Sequence, residues 1–237
     1  MLRFCINVFF LLAFGGIYAQ NITEESSEVI QDSIVYKEKY GLRLGGDLGK
    51  LVRTLIDDDY SGFEINADYR LTKVLYIAGE LGFEEKNTTT EFLNATANGS
   101  YFKAGIDYNL YKNWFGLENL IYAGFRVGAA TFKQTLNNYT IYNTDQSFPQ
   151  PTINEMREIS GLTAIWSELI IGLKAQTFNN LYIGINVQLK GRITETEPDN
   201  FENLFIPGFG RTYDSGRFGI GFGYNISYLI PLYKKEK

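Results

Sequence analysis

Apolar and polar residues alternate with a period of two along most of the chain. The clearest case is the segment RFGIGFGYNISYLI, residues 217–230, where large apolar side chains alternate with Arg, Gly, Asn and Ser. Because successive side chains of a β-strand point to opposite faces, this period predicts strands with one apolar and one polar face. Eight such segments follow one another after residue 39, each about ten residues long, the length that a tilted strand needs to cross a bilayer.

The connections between these predicted strands alternate in length. The short connections are residues 72–73, 112–119 and 177–180, and the long polar ones are residues 49–61, 85–99, 133–161 and 194–216. An even number of strands joined by short turns on one side and long loops on the other is typical of outer-membrane barrels. The pattern therefore predicts an all-β fold, a closed antiparallel up-and-down transmembrane β-barrel of eight strands. A further hairpin within residues 133–161 would make ten.

The polar face of the predicted strands indicates which side meets lipid. It is rich in glycine, including Gly105, Gly172 and Gly184, and a narrow closed barrel needs small residues where side chains from all sides meet. Its acidic and basic residues nearly balance, with most of the acids in the first four strands and most of the bases in the last four. We therefore expect the apolar face to meet lipid and the charged face to line the lumen.

The charged face predicts a network of ion pairs inside the barrel, in which each partner offsets the cost of burying the other. The alternative interpretation is a set of ordinary solvated surface charges. The predicted members of this lumen network are Arg43, Asp47, Glu64, Asp68, Arg70, Glu80, Lys103, Asp107, Arg126, Glu168, Lys174, Lys190, Arg192 and Arg217.

The N-terminal region precedes the predicted strands and differs from them in composition. Residues 1–19 are typical of a secretory signal peptide, with a charged start, a short apolar run and small residues before the cleavage position. Residues 20–38 are acidic, lack any period and predict a flexible leader, which leaves residues 39–237 for the barrel. Within the leader, Asp32-Ser33-Ile34 resembles the acceptor motif of Bacteroidota O-glycosylation, which would place a glycan on Ser33.

Composition excludes several functional classes. Histidine is absent and the single cysteine, Cys5, lies in the predicted signal peptide, so Ser–His–Asp, Cys–His and His-ligated zinc chemistry are excluded. The net charge of −5 provides no basic surface for nucleic acid. We therefore expect no enzymatic activity, no cofactor and no nucleic-acid partner.

Two of the predicted long loops carry candidate binding features. The acidic run at residues 57–59 has carboxylates suited to a divalent cation that bridges lipopolysaccharide, and a solvated loop is the alternative. The last long loop is unusually apolar, which predicts a binding patch, a lid over the barrel mouth or a segment that rests in the membrane interface. The residues of this predicted patch are Phe201, Phe205, Ile206, Phe209 and Tyr213.

The eighth predicted strand resembles the C-terminal β-signal that the outer-membrane barrel assembly machinery reads. Gly223, Ile226 and Tyr228 match the signal, whereas Gly221 occupies its polar first position and the tail LYKKEK follows it. More widely, RTLIDDDYSGFEINADYRL, YKNWFGLENLIY and EPDNFENLFIPGFGRTYDSGRFG look like an uncharacterised Bacteroidota (flavobacterial) family of outer-membrane β-barrel proteins. The resemblance covers nearly all of the predicted mature chain, and it implies the barrel and its location but no activity.

These observations predict a small outer-membrane barrel that acts without catalysis, as a structural or surface-binding protein, through long extracellular loops. Its lumen is expected to be filled, because an eight-stranded barrel is only just wide enough for its own side chains. The expected partners are outer-membrane lipid, lipopolysaccharide and, during biogenesis, the barrel assembly machinery. Two alternatives stay open: a narrow outer-membrane channel, and a soluble lipocalin-like carrier whose apolar face encloses a small ligand.

Overall fold

The structure is a computed structural model that describes residues 37–111, 118–141, 151–199, 201–213 and 216–236. The predicted signal peptide, the leader up to residue 36 and Ser33 lie outside the described residues. The elements are β1 (Lys37–Asp47), α1 (Leu48–Ile56), β2 (Tyr60–Arg70), β3 (Leu75–Thr89), β4 (Leu93–Asn109), β5 (Leu120–Thr140), β6 (Thr152–Ile153), β7 (Arg157–Phe178), β8 (Leu181–Glu195), β9 (Phe205–Ile206), β10 (Gly210–Arg211) and β11 (Phe218–Glu236).

Eight long strands form a closed antiparallel ring. Each pairs with the next long strand along the chain, in the order β1, β2, β3, β4, β5, β7, β8 and β11, and β11 pairs with β1 to close the ring. The prediction of eight antiparallel strands is therefore confirmed. Among the described residues, β6 pairs only with the last two residues of β5. β9 and β10 pair with each other in a separate two-stranded sheet, so ten ring strands are not found.

The two ends of the ring differ. The short connections at residues 71–74 and 179–180 lie at one end, called here the turn end, together with the first residues of β1 and the last of β11. The opposite end, the loop end, carries α1 and the segment from residue 201 to 213, called here the mouth segment. In the described part of the chain, no helix is long and apolar enough to cross a membrane.

The first long loop predicted from the sequence contains a helix instead. α1 starts at Leu48, directly after β1, and the Asp47 carboxylate caps it by accepting hydrogen bonds from Gly49 N (2.7 Å) and Lys50 N (3.3 Å). An N-cap of this kind satisfies backbone donors that the first helical turn leaves free. Leu48 therefore belongs to the helix and not to β1.

Two other predicted loops are largely strand. β3 and β4 continue until only residues 90–92 separate them, so 85–99 is a hairpin and not a long loop. β5 runs to Thr140 and β7 begins at Arg157, which shortens the predicted loop 133–161 from both sides. β1 likewise begins at Lys37, two residues inside the predicted leader.

Exposed and buried residues alternate along the strands. Partway from the turn end to the loop end, the buried positions change from charged to apolar and the exposed positions change from apolar to polar. On β4 nearer the turn end, Lys103 and Asp107 are buried while Phe102 and Ile106 are half exposed. Nearer the loop end of the same strand, small apolar residues such as Ala97 become the buried ones, and the polar residues between them face outward. The part of the ring nearer the turn end, called here the lower ring, therefore has an apolar outside and a charged inside. The part nearer the loop end, called here the upper ring, has a polar outside and an apolar inside.

The reversal occurs at the same level on neighbouring strands. Ser100 on β4 lies opposite Thr131 on β5, which lies opposite Thr163 on β7, and all three are exposed. Two residues below Thr131 and Thr163, the outward positions are apolar. Buried apolar residues on both sides of this level form a cluster with the mouth segment, which contains Tyr101, Ala130, Phe132, Leu162, Ala164, Trp166, Ile206 and Phe209.

Candidate functional site

The candidate site is the charged interior of the lower ring and the mouth segment above it. Lys103 on β4 lies at its centre, with its Nζ 2.5 Å from Glu80, 3.3 Å from Glu64 and 3.7 Å from Glu168. β4 pairs only with β3 and β5, so the contacts to Glu64 on β2 and Glu168 on β7 bridge strands that are not neighbours. The Lys103 side chain is 1% exposed, and three carboxylates surround it.

A second group of charges lies nearer the turn end. The Arg126 guanidinium is 2.8 Å from Asp107 and 3.5 Å from Glu80, which connects this group to the carboxylates around Lys103. Lys174 Nζ lies 2.7 Å from Asp68 and 3.8 Å from Asp107. The ion pairs therefore form a continuous chain through the ring interior.

Arg43 ends this chain at the turn end. Its guanidinium lies 2.7 Å from Asp68 and stacks between the rings of Tyr76 and Tyr182, with centroid distances of 5.2 Å and 4.9 Å. An arginine can satisfy a carboxylate and two aromatic faces at once because its guanidinium is planar and weakly hydrated.

Four predicted members of the lumen network lie outside this continuous chain of ion pairs. Arg70 is buried at the turn end, where it pairs with Glu38 at 2.8 Å. Arg192 pairs with Glu195 on its own strand at 2.8 Å. Asp47 caps α1, as described above. The prediction for Arg217 is corrected, because this residue precedes β11 at the loop end and its side chain is exposed.

Lys50 of α1 and Glu84 of β3 extend the charged group to the loop end, with Tyr60 and Tyr101 as hydrogen-bond donors. Lys50 of α1 lies 2.6 Å from Glu84 and 3.3 Å from Glu64. Tyr60 donates a hydrogen bond to Glu84 (2.7 Å), and Tyr101 donates one to Glu64 (2.5 Å). Burial lowers the pKa of Lys50, but the Glu84 and Glu64 carboxylates outweigh it, so the pKa stays above its usual value.

The mouth segment closes the loop end of the ring and is held by charged side chains. Gly208 N donates a hydrogen bond to the Glu84 carboxylate (2.6 Å), and Lys190 Nζ donates to the carbonyls of Gly208 (2.7 Å) and Phe209 (3.2 Å). Lys190 Nζ is also 3.7 Å from Glu168, whose carboxylate accepts a hydrogen bond from Trp166 (2.7 Å). The mouth segment is thus anchored to the ion-pair chain.

The predicted apolar binding patch is mostly buried. Phe205, Ile206 and Phe209 are 5%, 0% and 4% exposed. Phe205 packs with Tyr60 and Ala97, whereas Ile206 and Phe209 belong to the cluster that contains Tyr101 and Trp166. The expectation of an exposed patch is therefore corrected in favour of one of the alternatives, a segment folded over the mouth. Of the other two predicted residues, Phe201 is partly buried and Tyr213 is 53% exposed.

The acidic run at residues 57–59 follows α1. Asp57 pairs with Arg53 at 3.1 Å and with Lys86 at 3.2 Å. Desolvation raises the pKa of Asp57, but the hydrogen bonds from Lys86 and Arg53 and the Lys86 charge together outweigh it, so the pKa lies below its usual value. Within the described ranges, no group of three or more acidic side chains is arranged to hold a metal ion.

Several cavities lie beside these features, and three of them bear on the site. One of about 20 Å³ lies at the turn end beside Arg43 and Arg70, enough for about one water molecule. A second, of about 300 Å³, lies behind α1 between Lys50 and the edge of β11. The third, of about 540 Å³, opens at the loop end, lined by residues of β5, β6 and β7 and by Phe201.

The fold and the interior together define a class: an all-β protein whose antiparallel sheet closes into an eight-stranded ring around paired charges. The family model described as "Domain of unknown function (DUF6048)" matches residues 1–235, and the chain belongs to this family. No curated protein matches the chain.

Proposed function

We propose that the ring is a small transmembrane β-barrel of the bacterial outer membrane, of the kind that the Bacteroidota resemblance implies. In this proposal, residues 1–19 direct export, the barrel assembly machinery inserts the chain, and lipid and lipopolysaccharide surround the lower ring. The protein is not an enzyme and needs no cofactor. It acts as a structural or surface-binding protein through its loop end, which faces the outside of the cell.

The reversal of chemistry along the strands carries this proposal. Apolar residues face outward from Ile121 to Ala129 on β5, and from Ile165 to Leu173 on β7 except at Ser167. Each band covers nine residues, close to the roughly 9–11 that a tilted transmembrane strand needs. Above Ser100, Thr131 and Thr163 the outside turns polar, as expected where a barrel leaves the membrane and enters water.

The filled interior supports a structural role over that of a channel. Ion pairs bridge strands on different sides of the lower ring, and the mouth segment occupies its upper opening. Buried charges of both signs at this spacing hold one another in place. The same interior is polar where a soluble carrier with an inward apolar face would need an apolar cavity.

The exposed loop end supports a surface-binding role. The cavity of about 540 Å³ there is lined by apolar residues, including Leu136, Ile153 and Met156, together with Glu155 and Arg157. A concave apolar surface with a few charged groups is the usual form of a binding site. Its position above the polar outer band would leave it accessible from the cell exterior.

Fractionation followed by gel mobility tests the proposal. The full chain is expressed in a Gram-negative host, extracted from the membrane fraction with detergent, and run in SDS with and without boiling. We expect extraction only with detergent and a heat-dependent change in mobility, because a closed barrel resists SDS until it is heated. A protein that is soluble without detergent and shows no shift would overturn the proposal, and its apolar outside would then be an interface with protein.

A further inference from the structure

The wall of the ring has a gap at the loop end, on either side of which two strands lose a neighbour. β1 pairs with β2 only as far as Gly46 and Ile65, and with β11 only as far as Asp47 and Asn225. Beyond these points β2 continues to Tyr60 and β11 begins at Phe218, each with a ladder on one side only. α1 occupies the space between them and contacts both strands.

α1 replaces part of the missing ladder with side-chain hydrogen bonds. Thr54 Oγ1 accepts a hydrogen bond from Gly62 N on β2 (2.9 Å) and lies 3.0 Å from Gly62 O. On the other side, the Asp47 carboxylate that caps the helix lies 3.4 Å from Tyr224 N of β11. These bonds satisfy one edge N–H on each strand, so the helix covers part of the gap, and the cavity of about 300 Å³ lies between it and the edge of β11.

The apolar side of α1 faces away from the protein. Leu51, Val52, Leu55 and Ile56 are 46%, 52%, 83% and 78% exposed, and their spacing places them on one face of the helix. A helix packed on a globular protein normally turns such a face towards the core. Here the polar residues Lys50 and Thr54 face the ring instead.

This apolar face continues the outer surface of the neighbouring strands. Phe63 and Ile65 on β2 are 48% and 50% exposed, and Ile220 and Phe222 on β11 are 69% and 66% exposed. The helix lies between these two sets and presents the same kind of surface. It ends beside Asp57, which pairs with Lys86 in the polar stretch EEKNTT of β3.

We propose that α1 is a membrane-interface helix, with its apolar face against lipid acyl chains, which covers the gap between β2 and β11. The inference rests on the proposed transmembrane function of the ring. Acyl chains fit the surface better than a second copy of the chain. The helix face is continuous on both sides with the apolar outside of the ring, at Ile65 of β2 and Phe222 of β11, and the proposed function already places that surface in lipid.

Site-specific fluorescence quenching tests this inference on the full chain. With Cys5→Ser removing the only natural cysteine, Leu55→Cys is labelled with an environment-sensitive fluorophore and reconstituted in vesicles whose acyl chains carry a quencher. Leu189→Cys on the outward face of β8 is the reference for the proposed barrel, and Asp58→Cys, exposed just beyond the helix, is the matched control. We expect a loss of fluorescence at Leu55 comparable to that at Leu189 and several times that at Asp58.

Each other outcome has a separate meaning. Quenching at Leu189 but not at Leu55 would overturn the role of α1 and leave the proposed barrel standing. Quenching at neither position would overturn the proposed function and this inference with it. A blue-shifted Leu55 label that acyl-chain quenchers do not reach would show that protein, such as a second copy, covers the helix, which also overturns the inference.

Discussion

Lys174 and Asp68 form an ion pair across the full width of the ring, with Nζ 2.7 Å from the carboxylate. Their strands, β7 and β2, stand four steps apart in either direction, through β8, β11 and β1 or through β5, β4 and β3. Asp68 also accepts a hydrogen bond from Arg43 (2.8 Å), so one carboxylate joins three strands. A single salt bridge can span the interior because the ring is narrow.

A double-mutant cycle on this pair should give a large coupling energy. We expect Lys174→Met and Asp68→Asn to couple by about 0.5–3 kcal/mol in urea unfolding, because the two groups are in contact and buried. The matched pair is Lys133 and Glu158 on the outside, 2.9 Å apart and about half exposed, whose coupling should be about 0.2–1 kcal/mol. Equal couplings for the two pairs would contradict an ordered interior network.

Removal of the central cation should be among the most damaging single changes. Lys103→Met leaves Glu64, Glu80 and Glu168 without their shared partner, and breaking a buried pair in this way typically costs about 3–5 kcal/mol. The measurement is the free energy of unfolding of the protein folded in vesicles. Lys73→Met in an exposed turn is the control and should change stability by less than about 0.5 kcal/mol. A Lys103→Met variant as stable as the control would contradict a stabilising role of the interior ion pairs.

A methyl group at Gly208 should loosen the mouth segment. Gly208 has a φ of +80°, and a Cβ there would lie 2.6 Å from Tyr101 and 3.0 Å from Trp166. The left-handed backbone alone costs a non-glycine residue roughly 1–2 kcal/mol. We expect Gly208→Ala in a Trp114→Phe background to raise acrylamide quenching of Trp166, which is 0% exposed in the native fold.

The control for this change is Gly216→Ala, just beyond the same segment. Gly216 has no positive φ, and a Cβ there would meet nothing within 4 Å. Its Trp166 quenching should match that of the parent protein. If Gly208→Ala left Trp166 as protected as Gly216→Ala does, the packing of the mouth segment against Trp166 would be refuted.

Lys50 should contribute stability that disappears in alkali. Its pKa in the folded protein is raised above the unfolded value of about 10.4, so its contribution is complete below that pH and is lost as the pH rises through the folded pKa. At neutral pH, Lys50→Met should cost about 1.5–3 kcal/mol, the range for hydrogen bonds to charged groups. The difference in unfolding free energy between parent and variant should shrink above about pH 10.4, and a difference that grows there would contradict the assigned ion pairs.

The strand number and many of the interior charges are visible in the sequence because period-two alternation reports directly which residues share a face. Lys103, Glu168 and Lys174 could be assigned to one face in this way, and they do meet in the ring interior. Which charge contacts which could not be predicted, since that depends on the stagger of the strands. The alternation also cannot show where a face ends, and for this reason it wrongly predicts Arg217 in the interior.

The strand segments of the upper ring could not be predicted because the chemistry of the two strand faces changes there. Around Ala97 and Thr131 the buried residues become apolar and the outward ones polar, which looks like a polar loop when only one orientation is expected. Lys50 is not predicted as part of the interior network because the polar residues 49–61 predict a loop. A signal was present: Leu48, Leu51, Val52 and Leu55 have helical spacing, and Asp47 stands at the N-cap position.

The outer face of β5 offers the most direct test of whether the lower ring meets lipid. Phe125, 45% exposed, lies in the middle of the apolar band, and Thr131 lies on the same face above it. In vesicles, we expect Phe125→Arg to lower the free energy of unfolding by about 2–4 kcal/mol and Thr131→Arg by about 0–1 kcal/mol, with Phe125→Leu controlling for the lost ring. If Phe125→Arg were no more costly than Phe125→Leu and Thr131→Arg, the band would be facing water, and the transmembrane account would be wrong.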